Sequence, residues 1–137
     1  MKALTIAATV ENIEVVTDFV NELLEQAGCP MKIQMQIDVA IDELMSNIAR
    51  YAYYPDTGNA TVQVEFEEEP SAVVITFIDQ GVPHNPLAKR DPDITLAADE
   101  REIGGLGIYL VKKSMDEVVY RCEEGRNILS IRKKIGQ

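Results

Sequence analysis

The sequence is poor in the residues that build disulfide frameworks and metal centres. Its 137 residues include two cysteines, Cys29 and Cys122, one histidine and no tryptophan. The two cysteines stand far apart and lack the paired spacing of a zinc site. The sequence therefore predicts neither a disulfide-stabilised fold nor a structural metal site, and we interpret both cysteines as packing residues.

Basic residues and long apolar runs are also scarce. Thirteen lysines and arginines stand against 23 acidic residues, which gives a formal net charge of −10. Because such a surface repels a phosphate backbone, we expect no direct nucleic-acid or membrane binding, and a basic protein surface or a metal-bound nucleotide fits better. No apolar run approaches the ~18 residues of a membrane span, and the start shows no secretory cleavage pattern. We expect a cytoplasmic protein.

The remaining composition is that of a globular domain, with 46% hydrophobic and 26% charged residues. The length predicts one domain over residues 1–137. Strand-like and helix-like periods alternate along it in the order β-α-α-β-β-loop-α-β-β. The predicted strands cover residues 4–8, 61–66, 72–78, 117–121 and 127–134. This order favours an α+β fold, a two-layer sandwich with the helices on one face of a mixed, mainly antiparallel sheet.

The predicted helices have recognisable ends. The first runs from Glu11 to near Gly28, and the second begins at Pro30 and is closed by Pro55. Proline suits the first turn of a helix, where its missing N–H is not needed. Residues 81–103 carry three prolines and many charges without periodicity, which predicts a long loop before the third helix.

The second helix carries an acid, an amide and a cation at positions i, i+4 and i+7, namely Glu43, Asn47 and Arg50. At ~100° per residue these side chains share one stripe beside the apolar face. The alternative is that they form only the solvated face of an amphipathic helix.

Two glycine-containing segments follow. In Asp79-Gln80-Gly81-Val82-Pro83 a strand delivers an aspartate into a turn, where the carboxylate can accept from an exocyclic amine and Gly81 lets a flat ring approach. An Asp-x-Gly sequence is also common where a chain leaves a strand for a turn. In Gly104-Gly105-Leu106-Gly107 the backbone N–H groups at a helix start can bind phosphates, although a hinge also explains three glycines in four residues.

Taken in order, three segments resemble the N box and the two glycine boxes of the GHKL ATPases. They are residues 42–53 (DELMSNIARYAY), 79–86 (DQGVPHNP) and 104–111 (GGLGIYLV). Within that superfamily the chain resembles the anti-sigma-factor serine/threonine kinases. The resemblance covers nearly the whole chain and implies a Bergerat fold that uses ATP and Mg²⁺.

The resemblance also implies roles for individual residues. Glu43 matches the glutamate proposed as general base, Asn47 the magnesium ligand and Asp79 the residue that reads the adenine amine. The second glycine box would bind the phosphates, and residues 88–103 would form a lid carrying Arg101 as a candidate charge stabiliser. The expected nucleotide-binding set is Asn47, Arg50, Asp79, Gly81, Pro83, Arg101, Gly104, Gly105, Leu106, Gly107 and Ile108.

The chain departs from the family pattern at several positions. Arg50 stands where many relatives carry histidine, and His84 stands where phenylalanine is usual. Near the last strand, Asn127 and Ile128 stand where relatives often offer threonine to the adenine. The departures leave one purine contact open, and His84 is open to a role in partner docking.

Three functions follow as hypotheses. The first is a serine/threonine kinase that phosphorylates a small anti-anti-sigma antagonist and captures a sigma factor. The second is a non-catalytic, nucleotide-gated module that sequesters a sigma factor or another regulator. A histidine-kinase catalytic core ranks behind both, because the chain has no room for a phosphoacceptor helix pair. A homodimer is compatible with the resemblance, but no dimer surface can be assigned.

Overall fold

The computed structural model describes residues 1–69, 71–88 and 105–136. Five strands form one sheet: β1 (Lys2–Ala7), β2 (Asn59–Glu67), β3 (Ala72–Asp79), β4 (Glu117–Glu123) and β5 (Arg126–Lys134). The helices are α1 (Ile13–Gln26), α2 (Met31–Asn47) and α3 (Gly105–Ser114). The predicted order of elements is confirmed.

The sheet has the strand order β1-β2-β3-β5-β4, and each neighbouring pair in it is antiparallel. A short turn sets the register of the last two strands. The β4–β5 hairpin turns through Glu124 and Gly125, both with positive φ (52° and 76°), which matches the right-handed twist of the strands. We expected a mixed, mainly antiparallel sheet. All four strand pairings among the described residues are antiparallel.

The core lies between the sheet and the helices. Alternate residues of the strands point toward it, among them Val62, Ile75, Phe77 and Ile131, and all are almost fully buried. Helix α1 contributes Val16, Val20 and Leu24, whereas α2 contributes Ile37, Ile41 and Met45. This arrangement is the predicted two-layer sandwich.

The end of α2 is wider than a regular α-helix. After Asn47 the chain continues as a π-helical turn over Ile48–Ala52, a form that occurs mostly as single turns and frequently at functional sites. The Ala52 carbonyl accepts a hydrogen bond from Val82 N at 2.8 Å. The widened turn therefore holds the loop that follows β3 against α2.

The predicted boundaries shift by small amounts. Pro30 lies at the N-cap of α2, with an extended backbone (ψ 145°), and the helix proper begins at Met31. A 3₁₀ turn at Val10–Asn12 precedes α1, which was expected to start at Glu11. Within the described ranges, no helix combines the length and apolar character that crossing a membrane requires.

Candidate functional site

A cavity lies between α2 and the inner face of the sheet. The volume open to the centres of water molecules is about 30 Å³, and the whole empty space, including the part open to solvent, is about 400 Å³. Apolar walls are formed by Leu44, Ile48, Ala52, Phe77, Pro86 and Leu129. The polar lining residues are Asn47, Asp79, His84, Tyr120 and Asn127. An apolar pocket with a few convergent polar groups is typical of a small-molecule site.

Asp79 ends β3 at the base of this cavity and is 6% exposed. Its Oδ1 accepts hydrogen bonds from Gly81 N at 2.9 Å and from Asn127 Nδ2 at 2.8 Å. Its Oδ2 makes no hydrogen bond to any residue that the structure describes. One oxygen is therefore fixed by the protein, and the other keeps its capacity to accept from a ligand.

Asn127 faces Asp79 across the β3–β5 pair, because the two residues are register partners. Besides Asp79, its Nδ2 donates to the Val82 carbonyl at 2.9 Å. Its Oδ1 accepts from the Tyr120 hydroxyl at 2.5 Å and from His84 N at 3.2 Å. Asn127 thus links β3, β4, β5 and the loop after β3.

Asn47 and Glu43 occupy different positions along α2. Asn47 lines the cavity, whereas Glu43 lies under the first turn of α3, where a Cβ added at Gly107 would overlap its carboxylate. Burial raises the pKa of Glu43, the nearby Arg50 charge partly lowers it and Asp42 raises it. The second glycine box therefore packs directly against the first motif.

Arg50 lies outside the cavity. It is exposed, donates from Nε to the Ser46 carbonyl at 3.3 Å, and its guanidinium lies 6.0 Å from the Tyr51 ring centroid. Arg50 is not among the residues that line the cavity, and neither is Glu43. Burial raises the pKa of the Glu43 carboxyl, and the Arg50 charge partly lowers it, which is consistent with the predicted stripe.

Gly81 has a different surrounding from the one predicted. A Cβ at this position would overlap the backbone carbonyl of Ala52, so the absent side chain is required by close packing of the loop on α2. Neither Gly81 nor the exposed Pro83 is among the residues that line the cavity. Contact of Gly81 with a flat ring stays a prediction.

The third motif is described in part. Gly105, Leu106 and Gly107 form the first turn of α3, and Ile108 is buried in the core. The first backbone N–H groups of α3 have no acceptor within the helix, and they lie close to Glu43. Such N–H groups at a helix start can bind an anion. Arg101, Gly104 and the expected lid, apart from Ala88, lie outside the described residues.

Tyr120 was not singled out from the sequence, and Asn127 and His84 were noted only as departures. All three line the cavity, and the His84 ring lies 5.3 Å from the Tyr51 ring. Tyr120 carried no usable signal, because its position depends on how β4 pairs with β5. The one available hint was an amide, Asn127, directly before the apolar pair Ile128 and Leu129 in β5, since buried amides need partners.

The residues present fit a magnesium ion held chiefly by a nucleotide. Among the described residues, no group of three or more histidine, cysteine or acidic side chains could hold a metal by itself. Asn47 offers one amide oxygen at the cavity. Mg²⁺ is commonly bound by few protein oxygens together with phosphates and water.

Comparison with known proteins places this geometry in a family. The model of the histidine kinase-like ATPase domain matches residues 6–133. The chain belongs to this family. The match bears out the resemblance to the GHKL ATPases and agrees with the two-layer fold.

The relatives include protein kinases. The serine-protein kinase RsbW of Bacillus mycoides is 30% identical over 95 residues, covering 66% of this chain and 58% of the relative. The serine/threonine-protein kinase BtrW of Bordetella bronchiseptica is 22% identical over 100 residues, covering 73% and 70%. The chain thus matches little more than half the length of the RsbW relatives.

A solved structure supports the fold alone. The RsbU and RsbW domains of Rv1364c from Mycobacterium tuberculosis superpose with a TM-score of 0.70 at 16% identity, covering 100% of this chain and 33% of that one. The two-layer sandwich of the described residues is therefore also found in a solved structure.

Proposed function

We propose that the chain binds ATP with magnesium and transfers the γ-phosphoryl group to a serine or threonine of a small antagonist protein. In this role it acts as an anti-sigma regulatory factor and is active in the cytoplasm. The observation that carries the proposal is the convergence of the three motifs: Asn47 and Asp79 line one cavity, and Gly107 packs on Glu43. The serine-protein kinases among the relatives support the reaction class.

Asp79 supplies the base recognition in this proposal. Its Oδ2 accepts from the exocyclic amine of adenine, while the apolar walls contact the ring. The volume open to the centres of water molecules is only about 30 Å³, so the purine would also use the part of the space of about 400 Å³ that is open to solvent. His84 and Pro86, from the loop after β3, are among the residues that line this space.

Glu43 supplies the proton acceptor. The substrate hydroxyl oxygen attacks the γ-phosphorus, the bond between that phosphorus and the β–γ bridging oxygen breaks, and the hydroxyl proton passes to the Glu43 carboxylate. ADP is the leaving group. Because burial raises the pKa of Glu43, its carboxylate is a stronger base than an exposed one.

The remaining charge is handled at the start of α3 and by the metal. Backbone N–H groups of Gly105, Leu106 and Gly107 bind the phosphates, because the helix N-terminus favours negative charge. A magnesium ion held by Asn47 would neutralise the phosphate charge that develops during transfer.

Labelled ATP tests the proposal directly. The chain is incubated with candidate antagonist proteins, and label on the antagonist is compared for the wild type, Glu43→Ala and Asn47→Ala. We expect transfer by the wild type and loss of at least 100-fold in both variants. Glu65→Ala and Asn59→Ala, which alter exposed residues of β2, serve as matched controls and should transfer normally.

A nucleotide-gated binding module is the alternative. It predicts capture of a sigma factor or another regulator that depends on ATP or ADP, with no label transferred. A pull-down with each nucleotide followed by mass spectrometry identifies the captured protein and separates the two functions. Capture of a protein without transfer of label to it would favour the module.

A further inference from the structure

Asn127 is one of three polar residues that are buried among the described residues, and it is 5% exposed. Both of its amide hydrogens are used, toward Asp79 Oδ1 and the Val82 carbonyl. Its oxygen accepts from two donors, the Tyr120 hydroxyl and His84 N. The Gly81 carbonyl also lies 3.5 Å from Nδ2. Since two donors face Oδ1 and three acceptors face Nδ2, only one orientation of the amide satisfies these partners.

This orientation decides what Asp79 offers to a ligand. Oδ1 receives two N–H donors, from Asn127 and Gly81, and both are neutral. The carboxylate is thereby held in one rotamer with its second oxygen unused by the described residues. A neutral donor holds the carboxylate in place without bringing a cation that would compete with an incoming amine.

A threonine at 127 cannot do the same. A hydroxyl has one proton, so it donates to Asp79 or to the Val82 carbonyl, but not to both. The hydroxyl oxygen can still accept two hydrogen bonds, so the loss falls on the donor side. In the present chain the Tyr120 hydroxyl reaches the amide oxygen of Asn127 from the neighbouring strand β4.

We propose that Asn127 is a positioning residue, oriented by the Tyr120 hydroxyl, that presents Asp79 Oδ2 to the base and selects 6-aminopurine over 6-oxopurine nucleotides. A 6-oxo group has no hydrogen to donate and meets the carboxylate with a lone pair. The inference rests on the proposed function, because it assigns the selectivity of the same site.

Asn127→Asp tests the inference through pH. The substitution removes the donor and sets two carboxylates within hydrogen-bond distance, so that they share one proton or repel. We expect ATP affinity at pH 8 to fall at least 10-fold, and to recover as the pH is lowered and a proton restores the bond between residues 127 and 79. Isothermal titration calorimetry with ATP and GTP from pH 5.5 to 8 measures both affinities.

The controls separate this pair from its surroundings. His84 and Tyr120 are the other titratable groups of the cavity, so the series is repeated in a His84→Gln background. Asn59→Asp adds the same charge on exposed β2 and should leave the pH profile of ATP binding unchanged. Circular dichroism and thermal unfolding show whether each variant is folded.

Tyr120→Phe tests the lock without adding charge. It keeps the ring and removes one donor to Asn127 Oδ1, so we expect a fall of about 3- to 10-fold in ATP affinity, as for one lost hydrogen bond, and a smaller preference for ATP over GTP. Tyr54→Phe, at an exposed tyrosine, is the matched control. If Asn127→Asp does not fold, Tyr120→Phe decides alone.

The outcomes distinguish two failures. Folded Asn127→Asp and Tyr120→Phe proteins with wild-type ATP affinity, selectivity and pH profile would overturn the inference and leave the proposed function standing. A wild type that binds neither ATP nor GTP would overturn both.

Discussion

Two glycines at the site have neighbours of different kinds. A Cβ at Gly107 would overlap the end of the Glu43 side chain, which can rotate away, whereas a Cβ at Gly81 would overlap the fixed backbone of Ala52. The same substitution should therefore affect chemistry at one position and folding at the other.

We predict that Gly107→Ala leaves stability unchanged or higher by up to about 1 kcal/mol, because alanine is the better helix former. Phosphate transfer should fall up to about 100-fold as Glu43 is displaced. Gly81→Ala should lower the free energy of unfolding by about 1–3 kcal/mol through overpacking. Urea unfolding and the labelled-ATP assay measure the two effects, and the reverse pattern would contradict the assignment of these contacts.

Glu43→Gln should trade activity for stability. Burial raises the pKa of Glu43 above its unfolded value, so the folded state binds the proton more tightly and loses stability as the pH rises through that interval. We predict that Glu43→Gln melts about 1–3 °C higher than the wild type at pH 7, and that the difference shrinks toward pH 4. Transfer should be lost at every pH. Glu65→Gln, on exposed β2, should show no such pH-dependent gain.

Asp79→Asn should weaken nucleotide binding far more than folding. One charge-assisted hydrogen bond is worth about 1.5–3 kcal/mol, which corresponds to roughly 10- to 150-fold in affinity. Calorimetry with ATP measures the loss, and thermal unfolding gives the comparison. Equal affinity in the variant would remove Asp79 from the site.

At the scale of elements, the contact between α1 and α2 contains an unusual polar pair. Asp38 Oδ1 and Asn21 Oδ1 are both buried and find no hydrogen-bond partner among the described residues. Burial raises the pKa of Asp38, and the neighbouring Asn21 amide partly lowers it. The helices therefore pack around a carboxyl group whose proton is held more tightly than that of an exposed aspartate.

We predict that Asp38→Asn stabilises the protein at pH 7 by about 1 kcal/mol, because an amide at 38 can donate to Asn21 Oδ1. In the wild type, stability should fall as the pH rises above the unfolded value, since the folded-state pKa is the higher one. That slope should be smaller in the variant. Urea unfolding from pH 4 to 8 tests this, with Glu22→Gln on the exposed face of α1 as control. Equal slopes for the wild type and Asp38→Asn would contradict the prediction.

At the scale of the whole molecule, the ligand links elements that are far apart in sequence. ATP bound between α2, β3 and the start of α3 would oppose their separation. At 100 times the dissociation constant, we predict that magnesium and ATP raise the free energy of unfolding by about 2.7 kcal/mol. Thermal unfolding should show less stabilisation in EDTA and little with GTP.

Asn47→Ala provides the matching variant for that prediction. It should retain the stabilisation that ATP gives in EDTA and lose the part that magnesium adds, because Asn47 is the protein oxygen assigned to the metal. A magnesium effect of wild-type size in this variant would move the metal to other ligands.

The amino-acid sequence by itself determined the element order, the α+β class and the three motifs. The signals were apolar periodicity, the prolines at 30 and 55, and the Glu124-Gly125 turn. They depend on contacts within a few residues, so they can be recognised before the fold is known. The place of Asp79 at the end of a buried strand followed from the same local pattern.

Only the tertiary structure decided which residues meet. The partners of Asn127 come from β3, β4 and the loop after β3, and pairing of distant strands leaves no periodic trace in any one of them. The packing of the loop after β3 on Ala52 likewise gave Gly81 its steric requirement. Such contacts depend on how whole elements pack together. The neighbours of each side chain come from a distant segment, so the local sequence around that side chain does not specify them.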